Sequence, residues 1–293
     1  MMMPEPQEQP AKEASSGAPA ASPVDTLLRL CLDADRRLLV FGLVVFGMAA
    51  FCTVLAATDS RVLDGANVWF KPIKFQLSLG IFLLTLAAIA AAASGAFIRS
   101  PIGRITVWTA IATSGFEIVW ITYRAATAER SHYADNSSFE TLMYSLMGVA
   151  AVVLAMTPVA LAIAAFRNTS QDAIPRIVSL GMLLGSLVAF FGGAFVGGMM
   201  SEQPSHYPID AEDRSSRLPF IGWSLTRDDL RIAHFVGLHA LQGLIAVGLL
   251  LVRVPYNKAA YIQYFAATVW LALIVALVVL AGFGRSPMAW LPT

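Results

Sequence analysis

Seven apolar stretches, each about as long as a helix must be to cross a bilayer's hydrocarbon core, constrain this chain more than any other feature. They run over 38–57, 75–97, 104–125, 142–166, 177–200, 232–252 and 259–283. In lipid the backbone must satisfy its own hydrogen bonds, which leaves helices and closed barrels. Runs this long, without the alternation of barrel strands, predict helices. Only 13% of the residues are charged, about half the share of a soluble domain. The expectation is an all-α, polytopic membrane protein with seven transmembrane helices.

The flanks differ. Residues 1–24 are rich in Pro, Ala, Ser, Glu and Gln, too poor in large apolar side chains to offset chain entropy, so a disordered tail is expected. The charged, apolar and small-residue regions of a signal peptide do not occur in order there. Residues 25–37, with Leu27, Leu28, Leu30, Leu32 and the pair Arg36–Arg37, read as an amphipathic interfacial segment leading into the transmembrane domain 38–283; 284–293 form a short C-terminal tail. Cys31 and Cys52 sit about 30 Å apart along this path, too far for a disulfide. A net charge of +1 gives no footprint for nucleic acid. No repeat relates the halves, as inverted-repeat transporters would require.

Orientation follows from short loops, on which the positive-inside rule operates. The brief loops holding Arg99 and Arg104, Arg167 and Arg176, and Arg253 and Lys258 contain one acid, Asp172. The long loops 58–74, 126–141 and 201–231 carry most acids, including Asp210, Glu212, Asp213, Asp228 and Asp229. The N-terminus is therefore expected in the cytoplasm and the C-terminus outside.

That topology puts all four histidines, His132, His206, His234 and His239, on the long-loop side. Imidazole is the side chain that most readily binds metals or haem and moves protons near neutral pH. Thr226 is the expected N-cap of span six, with Asp228 and Asp229 in its first turn. His234 lies at the interface and His239 about 8 Å deeper. They point about 140° apart, so one straight helix face cannot offer both to one ion. Gln242 shares the face of His239. His132, within Arg130-Ser-His-Tyr133, and His206, between Pro204 and Pro208, each also read as ordinary surface histidines.

Span three carries Glu117, the one acid deep within an apolar run. Such a carboxylate is costly and marks a functional site by default. Its expected partners are His239, at a similar depth of roughly 10 Å, and Arg124, seven residues on and on the same face. Lys71-Pro-Ile-Lys-Phe75 opens span two, with Pro72 in the first turn. Lysines there oppose the helix dipole, so an anion is expected near Lys71 and Lys74: Glu117, an Asp of the preceding loop, or a phosphate. The alternative is that both snorkel to lipid phosphates beside Trp69 and Phe70. Ser137 and Glu140 read as a capping box opening span four, in which Pro158 predicts a kink. In span five Gly181/Gly185 and Gly193/Gly197 fall four apart, which predicts close helix packing, with room for a flat ligand as the alternative.

The segments Lys71–Phe75 and Asp229–Gln242 resemble those of a set of uncharacterised bacterial multi-pass membrane proteins, a resemblance that spans most of the chain from about Arg36 to Arg253. It implies a bacterial inner-membrane location and carries no activity.

The leading functional expectation is a metal or haem site opening to the periplasm. His239 and Glu117 form its inner, catalytic part, His234 and His132 add ligands, and Arg124, Lys71, Lys74 and Gln242 line it toward a cofactor. Imidazole plus carboxylate suits zinc, iron or copper, and a metal-bound water would hydrolyse or oxidise a lipid-soluble small molecule. Haem would take two axial histidines from different helices, with span five's glycines admitting the ring. The main alternative is a proton- or ion-coupled transporter or channel without cofactor, relaying through Glu117, His239 and Arg124. A third is a sensory or assembly protein whose buried polar groups fix helix register. The lipid bilayer is the expected partner throughout, and nucleic acid is not.

Overall fold

A computed structural model describes residues 22–133, 137–170, 174–202, 217–225 and 229–287. In chain order it contains α1 (Pro23–Leu32), α2 (Arg36–Thr58), the hairpin β1 (Val62–Leu63) and β2 (Ala66–Asn67), α3 (Phe70–Ala92) and α4 (Gly95–Arg99). There follow α5 (Pro101–Ala126), α6 (Ser138–Arg167), α7 (Arg176–Val188), α8 (Ala194–Ser201), α9 (Leu230–Leu250) and α10 (Tyr256–Gly282). A π-helical turn, Ala189–Gly193, joins α7 and α8 into one span. Together with α2, α3, α5, α6, α9 and α10 this makes seven helices long and apolar enough to cross a membrane. The chain is an all-α polytopic membrane protein.

Local sequence explains most helix starts. Ser22 and Asp25 form a capping box at α1, so helix begins at Pro23, two residues inside the expected tail; residues 1–21 lie outside the described ones. Leu30 of α1 is buried while Leu27, Leu28 and Leu32 stay exposed, so the helix has one face on the bundle and one turned away from it. Asp35 caps α2, accepting from the backbone N–H of Arg37 and Leu38. Burial pushes its carboxyl up, but the hydrogen bonds from Arg37 and Leu38 prevail and hold it below its ordinary value. Span two stops at Ala92 instead of running to 97, because Ser94 accepts from Phe97 N–H and starts a fresh turn. Ser100, followed by Pro101, then starts α5. Asp229 caps α9 through Arg231 N–H, so it precedes the first turn; Thr226 and Asp228 lie outside the described residues. Pro158 sits within a helix that continues past it.

The helices pack as a bundle in which α2 lies on α3, α3 on α5 and α6, α6 on α5 and α7, and α7 on α9, with α10 against α9 and α7. Leu83, Leu86 and Ile89 of α3 are fully buried with Leu161 and Met182, whereas Phe51, Val119, Val149 and Phe265 face outward. Apolar outside as well as inside is what a lipid solvent permits. The glycines of span five serve close approach. A Cβ on Gly181 would come within 2.5 Å of Leu244 O, and one on Gly185 within 2.9 Å of Leu241 O. The backbone of α9 fills that space, so these two glycines leave no slot for a haem.

Candidate functional site

Polar groups concentrate at the end of the bundle where α2, α5 and α8 finish and α3, α6 and α9 begin. The connections there are tied to one another. The β1–β2 turn uses Asp64 (φ 52°) and Gly65 (φ 81°), the left-handed pair that a two-residue hairpin demands. Arg130 of the α5–α6 connection grips Asp64 at 2.6 Å. Asp59, at the end of α2, pairs with Arg61 at 2.7 Å and accepts from the Trp69 indole at 2.8 Å. The Arg61 side chain and backbone N–H, with that indole, hold the Asp59 carboxyl well below the usual carboxylate range.

These ties turn the α5–α6 connection back into the bundle. Arg124 Nε donates to Arg130 O (2.9 Å) and Trp120 Nε1 to Ser131 O (3.1 Å), leaving Ser131 buried. His132 then lies between Phe75 and Tyr144, with ring centroids 5.7 and 6.1 Å away. Its Nδ1 is 3.1 Å from Lys71 Nζ and 3.1 Å from Ser131 Oγ. With Lys71 charged, Nδ1 accepts and the ring proton sits on Nε2. Tyr133 reaches across to donate to Met200 O at 2.8 Å. Burial, and then the neighbouring Tyr144 hydroxyl, push its phenol well above the ordinary value.

Glu117 lies beneath this cluster, on the buried stripe Ala110, Ser114, Glu117, Ile121, Arg124 of α5, a helical spacing of three and four. It is nine residues before the helix end at Ala126, about 13 Å down. The residue is 6% exposed, and its Oε1 accepts no hydrogen bond among the described residues. The charge acting on it is that of Lys71. One turn deeper, the buried Ser114 Oγ likewise has no partner among the described residues.

The expected partners of Glu117 are engaged elsewhere. Arg124 pairs with Glu140 at 2.5 Å and Glu129 at 2.8 Å, and stacks over Trp120. Glu140 is thereby drawn away from Ser137, so half of the capping box forms: Ser137 Oγ still accepts from Glu140 N–H. His239 packs on Phe235, with ring centroids 4.1 Å apart. Gln242, one turn on, donates to Thr85 of α3 at 3.3 Å. The main neighbours of α9 are α7, α10 and α8, and those of α5 are α6 and α3. Among the described residues no hydrogen bond joins Glu117 to His239, and Glu117 Oε1 stays without a partner. His234 Nδ1 donates to Gly193 O at 3.0 Å, a carbonyl of the π turn, with Gly197 leaving room for the ring.

The three described histidines therefore have three separate environments, and His206 lies outside the described residues. Among the described residues no three of His, Cys, Asp and Glu come together to hold a metal ion. The ligand set His239, His234, His132 and Glu117 is not assembled among the described residues, and nothing there supports the haem alternative.

Lys74 donates to Ile221 O at 3.0 Å, in a turn that also packs Phe220 on Phe70. Its neighbour Gly222 O accepts from Arg231. Two parts of the cluster went unread in the sequence. Tyr144 gives no local signal. Gln76, whose Nε2 donates to Thr122 Oγ1 (3.1 Å) and contacts Cys52 Sγ (3.5 Å), was legible as a polar residue inside an apolar span. Comparison with protein-family models, curated proteins and solved structures returns no match.

Chemically, the end of the bundle offers an amine and an imidazole in contact, with a buried carboxyl deeper in the span. Each can gain or lose a proton.

Proposed function

We propose that this integral membrane protein is a proton-coupled transporter or channel without a resident cofactor. Glu117 is the group that loads and unloads the proton, and Lys71 and His132 connect it to the capped end. One observation carries the reading: a buried mid-span carboxyl with an unsatisfied oxygen lies within electrostatic range of Lys71, whose ammonium contacts His132 at 3.1 Å. An intramembrane carboxylate of this kind is the usual station of a proton pathway. The relay differs from the expected one in two members, since Lys71 and His132 stand where Arg124 and His239 were anticipated. A histidine–carboxylate metal or haem centre draws no support, because its donors lie apart.

The reading places the protein in a bacterial inner membrane, with a cytoplasmic N-terminus and the capped end facing the periplasm. The support is the resemblance of Lys71–Phe75 and Asp229–Gln242 and the basic residues of the short loops. A cytoplasm-active reporter fused after Arg253 should then be active, and one fused after Thr293 silent.

The test of function is proton flux. Purified protein in liposomes carrying an internal pH dye, driven by an imposed potential, should move protons, and Glu117→Gln should not while retaining its thermal stability. Equal flux in Glu117→Gln and the parent sinks the relay. A stoichiometric metal or a Soret band lost in His239→Ala would reinstate the cofactor reading.

A further inference from the structure

We propose that Ser114 Oγ and Glu117 Oε1 hold one water molecule between them at the middle of α5, and that Glu117 exchanges protons through it toward the Pro101 end. The second half rests on the proton-path reading above; the first stands on its own geometry.

Side chains three positions apart project from one face of a helix, with Cβ atoms about 5–6 Å apart. Ser114 lies about 18 Å from the Ala126 end of α5 and about 20 Å from the Pro101 end, at the centre of the span. It is fully buried, Glu117 is nearly so, and Ala110 and Ile118 beside them are buried too. Bulk water therefore serves neither group. Neither Ser114 Oγ nor Glu117 Oε1 has a hydrogen-bond partner among the described residues, so the two do not bond to each other.

Ser114 departs from the usual habit of a hydroxyl in a span. Thr106, Thr113, Thr157 and Ser186 each donate to a carbonyl three or four residues back, the local bond open to any helical Ser or Thr. Ser114 does not. Gln76, Gln242 and Gln263 also have a bare oxygen, but each donates through its Nε2. A buried polar atom without a partner is costly and calls for a bound water or ion. Two O–H···O bonds end to end span about 5.5 Å, close to one turn of helix. Water also suits the chemistry. The Ser114 hydroxyl donates and accepts, and Glu117 accepts when ionised and donates when protonated. A metal cation would satisfy both oxygens yet leave the hydroxyl proton without an acceptor. A proton reaching Ser114 Oγ sends the serine's own proton to the water and a water proton to Glu117 Oε1. Serine and water end as they began.

Infrared difference spectra between neutral and acidic pH, on the purified full chain in liposomes, test the pair. The carboxyl band lost in Glu117→Gln belongs to Glu117. In Ser114→Ala that band should move to higher frequency, and a water O–H band that shifts in heavy-oxygen water should vanish. A parent that moves no protons but shows both changes supports the pair and fails only the relay. In liposomes that do conduct, Ser114→Ala should slow proton flux about tenfold, the rate equivalent of one lost hydrogen bond. Full flux in Ser114→Ala overturns the proton role. An unmoved Glu117 band in Ser114→Ala overturns the pair itself. A moved band with no water band lost means a direct bond, and a band set by sodium at constant pH means a metal cation; either overturns the shared water.

Discussion

Lys71 Nζ and His132 Nδ1 meet at 3.1 Å although 61 positions separate them in the chain. The contact docks the α5–α6 connection onto the first turn of α3. A hydrogen bond to a charged donor contributes about 1.5–3 kcal/mol. A double-mutant cycle on thermal unfolding in detergent, with Lys71→Met and His132→Ala, should therefore show coupling of at least about 1 kcal/mol. Effects that add within about 0.5 kcal/mol would separate the two groups.

Glu117 and His239 give the opposite expectation. Both lie deep in their helices, but Lys71 is the charge that acts on one and the other packs on Phe235. In the same assay Glu117→Gln and His239→Gln should be additive within about 0.5 kcal/mol. A larger interaction energy would show that the carboxylate and the imidazole meet after all.

Arg124 and Glu140 expose 8% and 12% of their side chains, so neither charge is relieved by water when the other is removed. Arg124→Met should cost about 3–5 kcal/mol, and adding Glu140→Gln should recover part of that loss. No recovery in the double variant would mean that Glu140 finds another cation.

The spans were legible because hydrophobic length is a local property: each block of about 20 apolar residues must become a helix in lipid. The site was legible only as a set of unusual residues. Glu117, Lys71, Lys74 and His132 stand out wherever they occur, because charge and imidazole are scarce in apolar sequence. Their pairing was not legible, because it depends on how the helices are arranged. Equal depth suggested Glu117 with His239, and a shared face suggested Glu117 with Arg124. In the bundle α9 belongs with α7 and α10, and the buried Arg124 guanidinium pairs with Glu140, a residue that its own sequence context had assigned to capping. The Asp64–Gly65 turn, by contrast, is a purely local hairpin signal that sequence reading should have used.

The glycines of the spans should divide by what surrounds them. A Cβ at Gly181 would sit 2.5 Å from Leu244 O, a backbone atom that cannot turn aside, whereas nothing lies within 4 Å of one at Gly47. Gly181→Ala should therefore cost about 1–3 kcal/mol through overpacking. Gly47→Ala, inside α2, should be neutral or stabilising by up to about 1 kcal/mol. Melting of both variants in one detergent checks the contrast, and equal shifts would contradict the close α7–α9 contact.

Acid should loosen the capped end through Asp59. Its carboxyl is held below the ordinary range by Arg61 and the Trp69 indole, so folding favours the ionised form. The stability this contributes is complete above the unfolded value of about 3.9 and is lost as pH falls below it toward the depressed folded value. Asp25 and Asp35 are depressed too, so the chain as a whole should melt earlier with acid, and one variant must isolate Asp59. Asp59→Asn removes the titrating group while keeping an acceptor for the indole. Its melting temperature should be lower than the parent's at about pH 6, and the two should approach each other as pH falls toward about 3. Curves that stay parallel over that range would show that the Asp59 carboxylate does not help hold the hairpin to the bundle.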